Sequence, residues 1–493
     1  MRRVLKWIGG LLAVVVAAVV VLAAIVAVNT FRLGSKQLQV AAVPRAAVDE
    51  QGAAKRLAEA VRFKTISNFL NPDQDADALR GLREHIAASF PAFHAVAKRE
   101  IVGQHSLLYT WEGSDAAAKP IALLAHQDVV PVAPGTEKDW QQPPFDGVIA
   151  DGFIWGRGSW DDKGNLYSML EAAEQMAKAG FRPKRTIYFA FGHDEEVSGQ
   201  RGAKVIAALL ASRGVKLDFV LDEGLLITDG IMKGLDQPAA LIGVAEKGYA
   251  TLVLTSRATP GHSSMPPRET AIGMMAAALA RLEDHSLPAR VRGAVGEMFD
   301  TLAPEMHGFN RVVLSNLWLF KPLLVREFDK SGPTRAMVRT TTALTIFNAG
   351  DKDNVLPGNA EATVNFRLLP GDTQDSVTAH VRDTVKNDKI AIAPFPGNTN
   401  PPPVTGTAST GYRVLNQTIR EIFPDVIVAP GLMIAATDSR HYAGLTDNIF
   451  RFSPVRATSE DLKRFHGTNE RLSIANYADM IRFYLRFIQS SAG

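Results

Sequence analysis

Apolar and polar positions change rhythm several times along the chain. From Trp7 to Val28 no residue is charged, and a helix of that length, at about 1.5 Å per residue, is roughly 33 Å long, close to the roughly 30 Å hydrocarbon core of a bilayer. After a polar connector to about Pro44, apolar residues recur at helical spacing through Ala53, Leu57, Ala60 and Val61, then through Leu79, Leu82, Ile86 and Phe90. This predicts two amphipathic helices. The short apolar runs Ile121 to Ala125, Thr186 to Phe191 and Phe219 to Leu221 alternate with helical patterns at 164–179 and 202–212, closed by Gly180 and Gly214. Such alternation predicts an α/β domain with a mixed, largely parallel sheet flanked by helices. From Lys247 the texture becomes α+β, with a strand from Tyr249, a helix through 270–284 and strands at 337–347 and 359–369. Beyond Pro370-Gly371 the α/β alternation returns through Val414 to Ile422, Val426 to Val428 and a closing helix from Ile474 to Ile488. The Pro-rich stretch from Pro394 to Pro403 reads as a surface loop.

Composition narrows the class. With 493 residues the chain exceeds the usual size of one hydrophobic core, and 46% hydrophobic against 21% charged residues is a globular balance. Lys plus Arg number 54 and Asp plus Glu 51, a net charge of +3, which is too small for a whole-protein attraction to nucleic acid. There is no cysteine, so disulfide scaffolds, thiol nucleophiles and Cys-based zinc fingers are excluded, and a metal would be held by His and carboxylates. Arg2, Arg3 and Lys6 precede the apolar stretch, and only Arg32, Lys36 and Arg45 follow before acids return. That flank favours a cytoplasmic N-terminus and a body outside the cytoplasm. A cleaved signal peptide, with weak sites near Ile25-Val26-Ala27, is the rival.

Four acidic or His-containing segments follow buried strands or precede a helix. His126-Gln127-Asp128 comes directly after Ile121–Ala125, and residues two apart on an extended backbone share a face. Gly156-Arg-Gly-Ser-Trp-Asp161-Asp162-Lys-Gly164 frames two adjacent carboxylates before a helix, His193-Asp194-Glu195-Glu196 follows the strand ending at Phe191, and Leu221-Asp222-Glu223-Gly224 closes the next. Each alone has an ordinary explanation, as a loop hydrogen bond, a helix cap or a solvated turn. Their convergence on one edge of a parallel sheet, where ligands bind, points instead to a metal site of oxygen and imidazole donors, suited to zinc and also to manganese or cobalt.

Together with Phe465-His466-Gly467, these motifs resemble the aminoacylase, desuccinylase and carboxypeptidase family of dinuclear zinc hydrolases, metallopeptidase family twenty. The likeness covers essentially all of the chain after the apolar stretch. Leu314-Ser-Asn-Leu-Trp-Leu-Phe and Thr437-Asp-Ser-Arg-His441 further resemble its carboxypeptidase S and secreted N-acyl-amino-acid hydrolase/synthase branch. The resemblance implies one zinc on His126 and Asp222, a second on Glu196 and His466, and Asp161 bridging both. It also implies a cis peptide at Asp161-Asp162, Asp128 orienting His126, and Glu195 as general base taking a proton from water and returning it to the leaving amine. His262 matches a lid histidine that stabilises the oxyanion, often across a dimer or after closure. Arg367 matches a lid arginine for the substrate carboxylate, with Arg440 as a second candidate and Asn354 shaping the lid.

The implied organisation is a membrane anchor at 1–35 spanning about 7–28, a catalytic zinc domain at 45–246 and 372–493, and an inserted α+β lid or dimerisation domain at 247–371. The expected activity is that of a carboxypeptidase, a protease of small peptides that releases the C-terminal amino acid, with a homodimer formed through the lid. A hydrolase or synthase of long-chain N-acyl amino acids is the alternative, and a catalytically silent, membrane-anchored binding protein is the rival of another class. Leu317-Trp-Leu-Phe320 and Pro322-Leu-Leu-Val325 are apolar enough for an acyl groove, and equally for a lid core or dimer seam. No Gly-x-Ser-x-Gly, His-Glu-x-x-His or Gly-x-x-x-x-Gly-Lys motif occurs, which argues against a serine hydrolase, a single-zinc protease and a phosphate-transfer enzyme.

Overall fold

A computed structural model describes residues 2–493. Its main sheet has eight strands, in spatial order Lys98–Val102, Ser106–Trp111, Ile187–Gly192, Ile121–His126, Val220–Thr228, Ile449–Ala457, Ala239–Glu246 and Ile427–Met433. The pairs at its centre, 121–126 with 187–192 and with 220–228, and 220–228 with 449–457, are parallel. The outer pair 98–102 with 106–111 is antiparallel. The sheet is therefore mixed, as expected, and helices cover both faces.

Strand Ile121–His126 shows why its sequence is apolar throughout. Ile121, Leu123 and Ala125 join the core shared with helices Glu50–Val61, Lys163–Lys178 and Ile474–Ala492, whereas Ala122 and Leu124 face a second cluster with Ile206 and Leu210 of helix Ala203–Ser212. Both faces are buried, so alternation of polarity disappears.

A separate four-stranded antiparallel sheet is ordered Thr341–Ala349, Asn359–Leu368, Gly248–Arg257 and Ile390–Pro394. Its inner face packs Leu252, Leu254, Val364 and Phe366 against Met275 and Val381 of helices Ala271–Asp284 and Gln374–Val385. The apolar clusters divide the chain differently from a continuous 247–371 insert. Helix 374–385 and strand 390–394 belong to this second unit although they lie beyond 371. Conversely, helices Ala294–Leu302, Gly308–Ser315, Leu317–Phe328 and Gly332–Val338 pack on the first core through Val295, Met298, Leu324 and Val338. Helical periodicity identifies an apolar face without saying which core receives it.

The helix Arg2–Arg32 is longer than the expected 7–28 span. Within Lys6–Arg32 the most apolar 18-residue stretch has a mean hydropathy of 3.4 and is not buried in the body. Length and composition suffice to cross a membrane, a test that a signal sequence also passes.

Candidate metal centre

Parallel pairing brings the chemistry to one edge. His126 ends its strand beside Gly192 of the neighbouring strand, and Leu123 stands beside Leu221. The turn Glu195–Val197 and the pair Asp222-Glu223 therefore emerge next to His126. Asp161 precedes helix Lys163–Lys178, its peptide bond to Asp162 is cis as the resemblance implies, and His466 arrives on a late loop.

Asp161 stands between the two imidazoles. Its Oδ1 is 3.1 Å from His126 Nε2 and its Oδ2 is 2.8 Å from His466 Nε2. Glu223 Oε1 lies 3.3 Å from His126 Nε2, and Glu196 Oε1 lies 3.2 Å from His466 Nε2. Two donor groups result, His126–Asp161–Glu223 and Asp161–Glu196–His466, each with ligand atoms within 4.8 Å of one another. A carboxylate with one oxygen in each group, flanked by His and Glu on both sides, suits a pair of cations bound by nitrogen and oxygen.

The expected ligand Asp222 and its neighbour Glu223 are placed differently. Asp222 is buried, its Oδ2 accepting the Ser439 N–H at 2.8 Å and its Oδ1 the Glu223 N–H at 3.0 Å with lone pairs to spare, while Glu223 Oε1 stands beside His126. The cause is a bulge. Pairing with strand 449–457 jumps from Arg451 opposite Asp222 to Phe452 opposite Leu225, leaving Glu223 and Gly224 unpaired. A bulge re-aims the side chain it carries. Gly224 has φ +148°, and a Cβ there would meet Arg451 Cβ at 2.7 Å.

The electrostatics reflect a site built for positive charge. Burial alone would depress His126, yet the facing carboxylates of Glu223, Asp128 and Asp161 lift its pKa well above the ordinary histidine value. His466, also opposed by burial, is raised to about 10 by Asp161 and Glu196. Burial and the neighbouring Asp161 push Glu223 up to about 8.

Asp128 supports both sides of the cluster. Its backbone carbonyl accepts from His126 Nδ1 at 2.9 Å, and its two carboxylate oxygens take the N–H groups of Glu195 and Glu196, each at 3.1 Å. Burial would raise its pKa, but the His126 imidazole and the Glu196 N–H hold it below the usual range. Glu195 belongs to neither donor group. Burial and the charges of Glu223, Asp438 and Glu196 raise its carboxyl well above an ordinary glutamate, against the pull of His126.

Sequence reasoning missed the scaffold behind the ligands. Glu470 is fully buried; its Oε1 accepts the backbone N–H groups of Gly158, Trp160 and Asp161 at 2.9, 3.0 and 3.1 Å. Its Oε2 receives Arg157 at 2.5 Å, and Arg157 also donates to the carbonyls of His466 and Gly467 at 3.1 and 3.0 Å. Asp438, also unanticipated as a site residue, is buried with both carboxylate oxygens unpartnered, packed against Gly192 and Gly199. Burial and Asp222 raise it well above its ordinary value. Glu470 has no local sequence signal, because it acts on segments distant in the chain; Asp438 lies within Thr437–His441, but its packing against Gly192 and Gly199 is set by the tertiary structure.

Arg367, His262 and Asn354 come from the second unit and Arg440 from the turn Asp438–Tyr442 against the main sheet, with different results. Arg367 lies 4.8 Å over the Tyr249 ring and shares the electrostatic surroundings of Arg440, Glu246 and Glu195. Arg440 donates to the Ser198 carbonyl at 2.9 Å, just past the Glu195–Val197 turn. His262 and Asn354 are brought together: strand Gly261–His262 pairs with Val355–Leu356, the Asn354 carbonyl accepts the Ser263 N–H at 3.1 Å, and the imidazole of the exposed His262 bonds Ser264.

Comparisons with known proteins identify the family. The profile of Peptidase family M20/M25/M40 matches residues 122–490. The chain belongs to that family and is a metallohydrolase. It is 44% identical over 436 residues to the N-fatty-acyl-amino acid synthase/hydrolase PM20D1 of Xenopus tropicalis, covering 88% of this chain and 84% of that protein. It is 41% identical to the probable carboxypeptidase S-like 2 of Dictyostelium discoideum, covering 94% and 91%. Among solved structures, the M20 family metallo-carboxypeptidase Sso-CP2 of Sulfolobus solfataricus shares the fold with a TM-score of 0.64 at 19% identity, covering 90% of this chain and 99% of that one.

Proposed function

We propose that this protein is a dinuclear zinc amidohydrolase that cleaves the amide bond on the amino side of an amino acid with a free carboxylate. The observation that carries the reading is Asp161, one oxygen 3.1 Å from His126 and the other 2.8 Å from His466. His126, Asp161 and Glu223 would hold one zinc, and Asp161, Glu196 and His466 the other, with manganese or cobalt as substitutes. Bound there, zinc lowers the pKa of water and polarises a carbonyl. Glu195, unligated and with a raised carboxyl pKa, takes the proton of the attacking water and delivers it to the leaving amine. Arg367 and Arg440, one from each side of the cleft, bind the substrate carboxylate, Arg367 offering a planar two-pronged donor. The four-stranded unit acts as a lid. Its closure, or a second copy docked along the edge strand 341–349 with exposed Ile346 and Phe347, brings His262 to the oxyanion.

Release of a C-terminal amino acid from small peptides is the working activity, and the 41% identity to a carboxypeptidase S-like protein supports it. The 44% identity to an N-fatty-acyl-amino acid synthase/hydrolase supports a second substrate class, long-chain N-acyl amino acids, with the same leaving half. The apolar helix anchors the body on the extracytoplasmic side, supported by the hydropathy of 3.4 over its most apolar stretch and by Arg2, Arg3 and Lys6 at its N-terminal end. The test is turnover of blocked dipeptides and N-acyl amino acids by the zinc-loaded full-length protein in detergent, beside Glu195→Ala. Amide cleavage lost in that variant is the expected result; equal cleavage by both proteins, or none by either at full metal occupancy, overturns the reading.

A further inference from the structure

The end of the apolar helix is tied to the body by polar contacts. Asn316, fully buried, donates through Nδ2 to the Val26 carbonyl at 3.3 Å and to Thr30 Oγ1 at 3.1 Å, and its Oδ1 accepts from Asn29 Nδ2 at 3.1 Å. Arg311 reaches the carbonyls of Thr30 and Leu33, each at 3.3 Å. The body thus meets the helix first at Val26. Lys6 to Ile25 precede that contact, and their rise is about 30 Å, the thickness of the hydrocarbon core. Whatever surrounds Asn316 is held where a spanning helix leaves the lipid.

That surface is apolar and aromatic. Trp318 is 57% exposed and its indole N–H points to Asn316 Oδ1 at 3.3 Å, while Phe309 is 63% and Leu323 44% exposed. Phe31, on the last turn of the apolar helix, is 82% exposed. Tryptophan with its polar edge bonded and its ring free belongs at a membrane interface. The neighbouring cations Lys321, Arg326 and Arg32 are exposed, and among the described residues none is in an ion pair, unlike Lys330, which holds Glu327. Free cations beside exposed aromatics suit anionic lipid headgroups.

We propose that helices Gly308–Ser315 and Leu317–Phe328 form a second, in-plane membrane contact, seated in the anionic headgroup layer beside the exit of the anchor. The proposal rests on the anchor reading. It assigns Trp318, Phe309 and Leu323 to the lipid surface, and Lys321 and Arg326 to phosphate.

The chain has no cysteine, so single nitroxide labels can be placed on the full-length protein at Phe309→Cys, Leu323→Cys, Val16→Cys and the exposed Lys138→Cys. In nanodiscs of phosphatidylcholine with a minority of phosphatidylglycerol, accessibility to oxygen against a water-soluble nickel chelate reports depth. The expected result is a deep label at 16, an aqueous label at 138, and labels at 309 and 323 with an oxygen-to-nickel ratio several-fold above that at 138. Lys321→Glu with Arg326→Glu then moves the label at 323 toward water in the anionic discs. Aqueous labels at 309 and 323 with a deep label at 16 overturn the contact and leave the anchor standing. An aqueous label at 16 overturns the anchor and the contact with it. Shielding of 309 and 323 from both reagents, with spin–spin broadening, overturns the contact in favour of a second copy of the chain.

Discussion

Glu470 and Asp161 are joined through the backbone: the Glu470 carboxylate accepts the Asp161 N–H at 3.1 Å, and its other oxygen holds Arg157, which grips the carbonyl of His466. One buried acid therefore fixes the spacing between the residue facing both donor groups and the histidine of one of them. Outer partners of metal ligands typically contribute 10- to 100-fold in affinity. Glu470→Gln should weaken zinc binding by about that factor in a chelator competition, with activity recovered in excess zinc. Glu470→Ala, which strands Arg157 and three N–H groups, should instead destabilise the fold by roughly 3–5 kcal/mol in denaturant unfolding.

The different placement of neighbours 222 and 223 gives a direct contrast. Glu223→Gln should lower the zinc content measured by mass spectrometry by about one ion per chain, through loss of the carboxylate 3.3 Å from His126. Asp222→Asn should keep both ions, because its oxygens serve the N–H groups of Ser439 and Glu223. The reverse pattern would restore Asp222 as the ligand.

Removal of the proposed base separates chemistry from binding. Glu195→Gln should reduce kcat by about 10²- to 10⁴-fold, with metal content unchanged and KM within a few-fold. A loss of metal in this variant would make Glu195 a ligand.

Arg367 predicts the other half of that split. With its guanidinium over Tyr249 and near Arg440 and Glu195, Arg367→Ala should raise KM for carboxylate substrates more than it lowers kcat. Amidated analogues of the same substrates should show little difference between parent and variant.

Lys247 carries a pH signature at the junction between the two sheets. It is buried, its Nζ donates to the carbonyls of Ala336 and Arg339 at 3.0 and 2.8 Å, and burial with the charge of Arg367 lowers its pKa from 10.5 to about 7. Between those values the unfolded chain holds the proton and the folded one does not, so this group makes stability rise with pH, by at most about 1.4 kcal/mol per pH unit. The stability of the parent minus that of Lys247→Met should increase as pH rises above 7 in urea unfolding. A difference independent of pH would show that the amine keeps its charge in the fold.

The sequence by itself determined the parallel core and the chemistry at its edge. Apolar runs such as Ile121–Ala125 mark doubly covered strands, and His126, Asp161, Glu196 and His466 are the types that hold a metal without sulfur. Tertiary structure decided what local pattern leaves open. Asp222 and Glu223 are adjacent acids, and only a bulge against Arg451 selects which one turns to His126. Helices 294–338 have an apolar face that fits either unit, and the free space beside strand Ile427–Met433 and the apolar helix claimed it. Glu470 carries no motif, and the motif around Asn316 does not say what that residue binds, since each is defined by the distant backbone whose hydrogen bonds it completes.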